Sequence, residues 1–288
     1  MAGLGVDMPA ERFADRIDSL ARRYTPVGLD GILDPDTASG RQKVLICFDD
    51  AYASVAQIAA PLLAERGLPW CLFLNPGFVG NDVLGLDNFV AYVAATVGLE
   101  PLAQVAGAAV DSPASLIRGP LAWYTPGERR RFMERLASLV SLDPAELAGK
   151  ARLYLDRADV GSLAEAGVEI GNHTAEHVSC RALDAAAIEE QVVQSAADIE
   201  AMSARPVRAF AYPYGSSADA TDAVVRRLRE TGHRCAFVVE AQSNTDRSDP
   251  YRLRRICLTG RDDPASAVEL AVLPQLRMLR SRLRRRSE

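Results

Sequence analysis

Two histidines, His173 and His177, stand four residues apart in Gly171-Asn172-His173-Thr174-Ala175-Glu176-His177, and the chain has only one other, His233. On a helical turn, residues at that spacing share a face. Two neutral imidazoles on one face can hold a divalent metal; the alternative is a pair of polar loop residues. Asp49-Asp50 bears on the choice, because it closes the largely apolar run Lys43-Val44-Leu45-Ile46-Cys47-Phe48. Neighbouring side chains at a strand end point in different directions, so one metal would not readily take both acids. A division of labour is more natural: one carboxylate completes a His-His-Asp set and the other faces the attacking water. Three protein ligands with an open position describe a catalytic site, in which the metal lowers the pKa of water and the free carboxylate takes the proton. Taken alone, Asp49-Asp50 also reads as an acidic turn capping the next helix.

The elements around these residues explain why they would meet. Residues 44–48 read as a strand buried on both faces, as in a parallel sheet covered by helices. Residues 70–74, 168–171, 207–212, 235–239 and 253–258 read as further strands. Helices are expected over 9–24, 51–65, 160–166, 184–204, 218–230 and 264–283, with a loop over 28–40. Alternating strands and helices imply a parallel sheet or a β/α barrel. Asp49-Asp50, the two histidines and Tyr214-Gly215 each follow a strand, and in such folds the carboxyl ends of all strands share the face that holds the site. From about residue 78 to 159 the rhythm breaks into helical stretches (89–97, 127–140, 144–149) and loops. That is too long for a simple connection, so it reads as a helical insertion, either a cap near the active face or scaffold. Trp123 and Tyr124 within it are candidates for ligand contact or for packing.

Composition narrows the class. The 288 residues carry 25% charged and 48% hydrophobic residues and a net charge of −5, ordinary for a globular protein and no reason to expect nucleic acid. Residues 1–15 lack a basic start followed by an apolar run, so a cytoplasmic protein is expected. The five cysteines, Cys47, Cys71, Cys180, Cys235 and Cys257, are scattered without a Cys-x-x-Cys pair, which fits a reducing compartment. The tail carries Arg277, Arg280, Arg282, Arg284, Arg285 and Arg286. It reads as a basic C-terminal helix end, or as a weak contact with an anionic membrane surface or a phosphate-bearing carrier.

With these residues in hand, the chain resembles the polysaccharide deacetylase family, the NodB-homology or carbohydrate esterase family 4 enzymes. Cys47-Phe48-Asp49-Asp50-Ala51-Tyr52 is similar to the family's TFDDG motif, and His173-Thr174-Ala175-Glu176-His177 to its H-[ST]-x-x-H motif. Phe210-Ala211-Tyr212-Pro213-Tyr214-Gly215 resembles its third motif, ending in PYG. The resemblance covers roughly residues 41–77 and 160–258. It implies one domain over 1–288 with a distorted (β/α) barrel, and hydrolysis of an N-acetyl amide on a sugar. Asp49 would be the general base, and Asp50, His173 and His177 would hold a divalent metal, most often zinc. The backbone N–H of Tyr214 would help stabilise the oxyanion.

The departures are informative. Ala51 stands where the family usually has Gly. Ala211 stands where many members have an Arg that orients the base, and Arg255 is a candidate to supply that guanidinium from the next strand. No late Leu-x-His motif is present to provide a general acid, and His233 precedes a strand, at the opposite end of the barrel. The leading expectation is therefore a metal-dependent N-deacetylase acting on an N-acetylated sugar or glycoconjugate. The alternatives are a hydrolase of a non-sugar C–N amide and a non-catalytic carbohydrate-binding relative.

Overall fold

The computed structural model describes residues 8–34, 42–245 and 247–258. Two short strands, β1 (Thr25–Pro26) and β2 (Lys43–Val44), pair in parallel. Six more, β3 (Ile46–Asp49), β4 (Trp70–Leu74), β5 (Glu169–Asn172), β6 (Ala209–Ala211), β7 (Cys235–Val239) and β8 (Leu253–Arg255), form one parallel sheet in that order. The sheet is curled into a half-barrel, with β3 and β8 as its two edges. Apolar side chains alternate between two buried surfaces, as a sheet covered on both faces requires. Trp70, Leu72, Leu74 and Ile170 pack outward against helices. Cys71, Phe73, Ala209, Ala211, Cys235, Phe237 and Leu253 point into the barrel, together with Cys47.

The interior is built from unequal side chains. Phe73 and Phe237 fill it, their rings 5.4 Å apart, and Gly171, Ala209 and Ala211 leave them the space. A Cβ on Gly171 would come within 2.6 Å of the Phe73 ring and 2.9 Å of the Ala209 carbonyl oxygen. At Gly215 the backbone has φ 73°, and a Cβ would lie 2.4 Å from the Val239 side chain.

The helices are α1 (Ala10–Arg23), α2 (Leu29–Leu33), α3 (Ala60–Glu65), α4 (Leu86–Thr96), α5 (Glu100–Ala106), α6 (Pro113–Arg118), α7 (Pro126–Val140), α8 (Pro144–Ala151), α9 (Arg157–Glu165), α10 (Ala185–Ile188), α11 (Ser195–Ser203) and α12 (Asp222–Glu230). Residues 28–40 were expected as loop, but α2 forms there and its Leu29 enters the lower part of the barrel core. Five residues are too few for a periodic signal, so burial rather than pattern makes this helix. The helix expected over 184–204 is one run, α10 to α11, with a wider π-helical stretch, Glu189–Gln194, in its middle and Asp184 capping its start. The helix expected from residue 51 begins later, because residues 50–52 turn sharply to aim the carboxylates. The final helix expected over 264–283, with its arginines, lies outside the described residues.

Between β4 and β5 the chain is helical, from α4 to α9, and among its described residues it contains no strand beyond the single bridge Tyr52–Tyr154. Three of its helices start at polar caps followed by proline: Ser112-Pro113, Thr125-Pro126 and Asp143-Pro144. A cap oxygen takes an otherwise orphaned N–H, and proline at the first helical position lacks one. Among the described residues no helix is long and apolar enough to cross a membrane.

Substituting Gly171→Ala should destabilise the fold by about 1–3 kcal/mol through overpacking against Phe73. A fall in the urea midpoint at unchanged slope checks this.

Candidate active site

The histidines do not sit on a helical turn, as their spacing suggested. Residues 173–179 form a loop after β5, and Thr174 and His177 have left-handed backbones (φ 61° and 53°). Buried amides hold this loop. Asn75 Nδ2 donates to the carbonyls of His173 and Thr174. Asn172 Oδ1 accepts from the Thr174 N–H and from Ser195 Oγ, and its Nδ2 donates to the Val192 carbonyl. Gln191 accepts from the N–H groups of Ala175 and Glu176. The π-helical stretch supplies Gln191 and Val192, and its widened turn is what presents their carbonyls to the loop.

The loop brings the rings together with the acids of β3. Asp49 ends the strand facing inward. Asp50 has a left-handed backbone (φ 67°), which turns its carboxylate the other way. The exit of the helical insertion pins this turn: Leu155 N–H donates to the Ala51 carbonyl (2.7 Å) and Ala53 N–H to Leu153 (2.9 Å). One ligand atom each from Asp50, His173 and His177 lies within 4.8 Å of the others. Asp50 Oδ1 is 3.9 Å from His173 Nε2 and 3.8 Å from His177 Nε2.

Both imidazoles are oriented through their other nitrogen. His173 Nδ1–H donates to the Ala211 carbonyl (2.7 Å), and His177 Nδ1–H to Asp87 Oδ2 (3.0 Å). A carbonyl and a carboxylate only accept, so each Nε2 keeps its lone pair toward Asp50. Burial lowers the His173 pKa to about 3, so that ring is neutral. Burial, reinforced by Asp49 and Asp87, lifts Asp50 to about 6. Burial would lower His177, but Asp50 and Asp87 outweigh it and raise the ring above its ordinary value. The cluster draws positive charge onto itself while offering two imidazole nitrogens and one oxygen. That donor set suits a divalent cation.

Asp49 is held apart from this set. Arg255 grips it with both terminal nitrogens, at 2.5 and 2.6 Å. Burial would raise the Asp49 pKa, but Arg255 and the two imidazoles pull it below the usual carboxylate range. Its Oδ2 remains 3.9 Å from His173 Nε2. Tyr214, the third predicted site residue, has a left-handed backbone (φ 62°) and its ring centre lies 4.8 Å from that of His177. His233 lies before β7 at the amino end, buried, with the Tyr251 hydroxyl on its carbonyl and its pKa lowered to about 4 by burial. Tyr124 packs edge-on against Phe132, whereas Trp123 is exposed.

Two residues that the sequence did not single out complete the site. Asp87, in the first turn of α4, accepts from His177, from Arg129 Nη2 (2.9 Å) and from the Tyr214 hydroxyl (3.1 Å). Arg129, in α7 and 5% exposed, also donates to the Tyr214 hydroxyl (2.9 Å) and to the Leu121 carbonyl (3.2 Å). Burial opposes ionisation of both, yet each holds the other charged: Asp87 is shifted down and Arg129 up. An acid in a first turn reads as ordinary dipole compensation, and no sequence period reports a contact 90 residues away.

A curled parallel sheet with two carboxylates and two imidazoles at its carboxyl edge defines a half-barrel of the NodB kind. The sequence matches the polysaccharide deacetylase family over residues 36–236, and the chain belongs to that family. Similar solved structures include BC0361, a polysaccharide deacetylase from Bacillus cereus, at 12% identity and a TM-score of 0.58 over 93% of this chain and 64% of that one. The Streptococcus pyogenes deacetylase PplD, in complex with acetate, matches at 10% identity and 0.58 over 92% and 88%. IcaB from Ammonifex degensii matches at 18% and 0.56 over 91% and 88%. The chain spans less than two thirds of the two Bacillus structures, 61% for the Bacillus anthracis protein BA0330. At these identities the likeness is one of fold. Among curated proteins, no sequence matches this chain.

Replacing Asp87→Asn should weaken metal binding about 10–100-fold, as loss of a carboxylate behind a ligand histidine does elsewhere; competition against a chromophoric chelator measures it. Because the Asp50 carboxyl titrates near 6 and must lose its proton to ligate, metal affinity should fall about tenfold from pH 7 to pH 5, from that proton alone. The same titration at several pH values checks the slope.

Proposed function

We propose that this chain is a divalent-metal-dependent hydrolase that removes an N-acetyl group from an N-acetylated sugar or glycoconjugate. The observation that carries the reading is the split between two adjacent acids: Asp50 meets two free imidazole nitrogens, while Asp49 is clamped by Arg255 beside them. Membership of the polysaccharide deacetylase family supports the substrate class. Asp50, His173 and His177 would hold the metal, zinc by its donor set, and the metal would supply a polarised acyl oxygen and a more acidic water.

The chain's own residues divide the remaining work. Asp49, kept ionised by Arg255, takes the proton of the attacking water. Arg255 stops the carboxylate from swinging into the ligand set and sets its lone pairs toward the reacting centre. The backbone N–H of Tyr214, for which no carbonyl acceptor is found among the described residues, donates to the developing oxyanion. The Tyr214 side chain, tied to Asp87 and Arg129, fixes that N–H in place. With His233 at the far end, no third imidazole serves as acid, so Asp49 passes its proton on to the leaving amine.

The missing imidazole acid favours a second reading, hydrolysis of a non-sugar amide whose amine departs with less help. Acetate release from N-acetylhexosamine oligomers and from an amide panel, with and without chelator, separates the two. Chelator-sensitive release from sugars supports the first, release from amides alone the second, and binding without any release a non-catalytic relative. Arg255→Ala should lower kcat about 10²–10⁴-fold, the range that a positioned base contributes, with metal content unchanged. An undiminished kcat would remove Arg255 from the mechanism.

A further inference from the structure

A guanidinium and an indole beside the histidine loop play no part in the chemistry above. Arg181 lies in the single turn Cys180–Ala182, four residues after His177. Four residues of chain reach at most about 14 Å, so the Arg181 backbone lies within that distance of His177. Its Nε meets Ser179 Oγ (3.3 Å) and Asp219 Oδ1 (3.4 Å), and its guanidinium carbon lies 4.2 Å over the Trp123 ring. Trp123 ends the turn Pro120–Trp123, in which the Leu121 carbonyl accepts from Arg129. The same Arg129 holds Asp87 and Tyr214 against His177, so the indole is tied to the site by two steps of hydrogen bonding.

An exposed apolar ring alone says little. Here the ring has one face covered by a guanidinium that is itself fixed. Asp219 is fully buried, bonded to Ser179 Oγ, with its second oxygen unpartnered. Arg181 is its cation, and a buried carboxylate holds such a partner firmly. Two other arginines that give Nε to one carboxylate give Nη1 to a second: Arg208 spans Glu169 and Asp30, and Arg227 spans Glu189 and Glu230. Arg181 is less exposed than either, 20% against 29% and 32%. Yet its Nη1 and Nη2 meet no acceptor among the described residues. The other acids at the mouth either have cations of their own, Asp49 with Arg255, Asp87 with Arg129 and Glu176 with Arg130, or, in the case of Asp50, belong to the set that a bound cation would neutralise. An incoming anion therefore faces little unpaired negative charge.

We propose that Trp123 and Arg181 form a second sugar subsite, which takes a glycan unit bearing an oxyanion, a carboxylate or a phosphate, next to the acetamido unit at the metal. The proposal rests on the deacetylase reading and narrows its substrate class. The open indole face covers the C–H face of the ring, and the two free nitrogens of Arg181 offer the parallel fork that suits an oxyanion.

The test titrates the full chain, metal-loaded and chelated, with three disaccharides of N-acetylglucosamine: one joined to a neutral hexose, one to a uronic acid and one to a hexose phosphate. Isothermal titration calorimetry reports binding in every variant, including Trp123→Ala, which removes the exposed indole (62%, against 6% for Trp70) that fluorescence would read. At least one acidic disaccharide should bind about tenfold more tightly than the neutral one, and which one identifies the oxyanion. Arg181→Ala should bring that ratio close to one, Arg181→Lys should restore only part of it, and Trp123→Ala should weaken all three ligands. Equal binding of the three by the wild type, or a ratio unmoved by Arg181→Ala, overturns the proposal. Should Arg181→Ala fail to fold by circular dichroism, Arg181→Lys and Trp123→Ala carry the decision. If no disaccharide releases acetate, the deacetylase reading fails while the titration still decides the subsite.

Discussion

The ion pair between Asp49 and Arg255 joins the two edges of the sheet. A half-barrel leaves its first and last strands without backbone partners for each other, and here a buried guanidinium crosses the gap. Its stem runs inside the barrel, with its terminal carbon 5.4 Å from the centre of the Phe73 ring and one terminal nitrogen 3.6 Å from Cys47 Sγ. Taking the two charges partly out of water costs free energy before their attraction repays it, a cost moderated by the solvent that still reaches Asp49, 34% exposed against 13% for Arg255. That expense is better explained by geometry than by stability: the pair fixes which of two consecutive acids is free to meet a cation. The small residues Gly171, Ala209 and Ala211 follow from the same constraint, since a larger side chain at any of them would occupy the space that Phe73 and the arginine share.

The helical insertion is part of the site rather than an ornament on it. Its beginning supplies Asp87, its middle Arg129 and its end the segment that pins Ala51 and Ala53. Tyr154 from that end stacks on Phe78 and Tyr52 and bonds Asn88, so the two ends of the insertion close on each other beneath the aspartate turn. Tyr214 links this assembly to β6. A charge relay of Arg129, Asp87 and His177 thus runs from helix to sheet, in which every member is either paired or hydrogen-bonded, as a low-dielectric network must be to persist.

The strands were legible because both their faces are buried. Apolar runs such as residues 70–74 and 235–239 have no other explanation in a chain of ordinary composition, and the polar residues after them had to share one edge. This placed Asp49, Asp50, His173, His177 and Tyr214 together, and it reserved Arg255 for β8. The conformation of the histidine loop was not legible. Spacing of four suits a helical turn, but left-handed residues at Thr174 and His177 bring the rings together by another route, and the amides that enforce it are far off in sequence. Asp87 and Arg129 escaped for the same reason: a charged residue on an amphipathic helix carries no mark of its distant partner.

The insertion also separates neighbours. β4 and β5 lie side by side, yet Asn75 and the His173 carbonyl that it holds are 98 residues apart in the chain. Closing so long a loop costs entropy, though only in proportion to the logarithm of its length, and non-local pairing of this kind slows folding. The intervening helices are rich in local contacts and carry their own caps, so they can collapse early and shorten the effective tether. On this view the half-barrel zips up in two stretches, β5 to β8 with short crossovers and β3 to β4 likewise. The pairing of β4 with β5 joins them last, and the loop that bears the imidazoles gains its shape only at that final step.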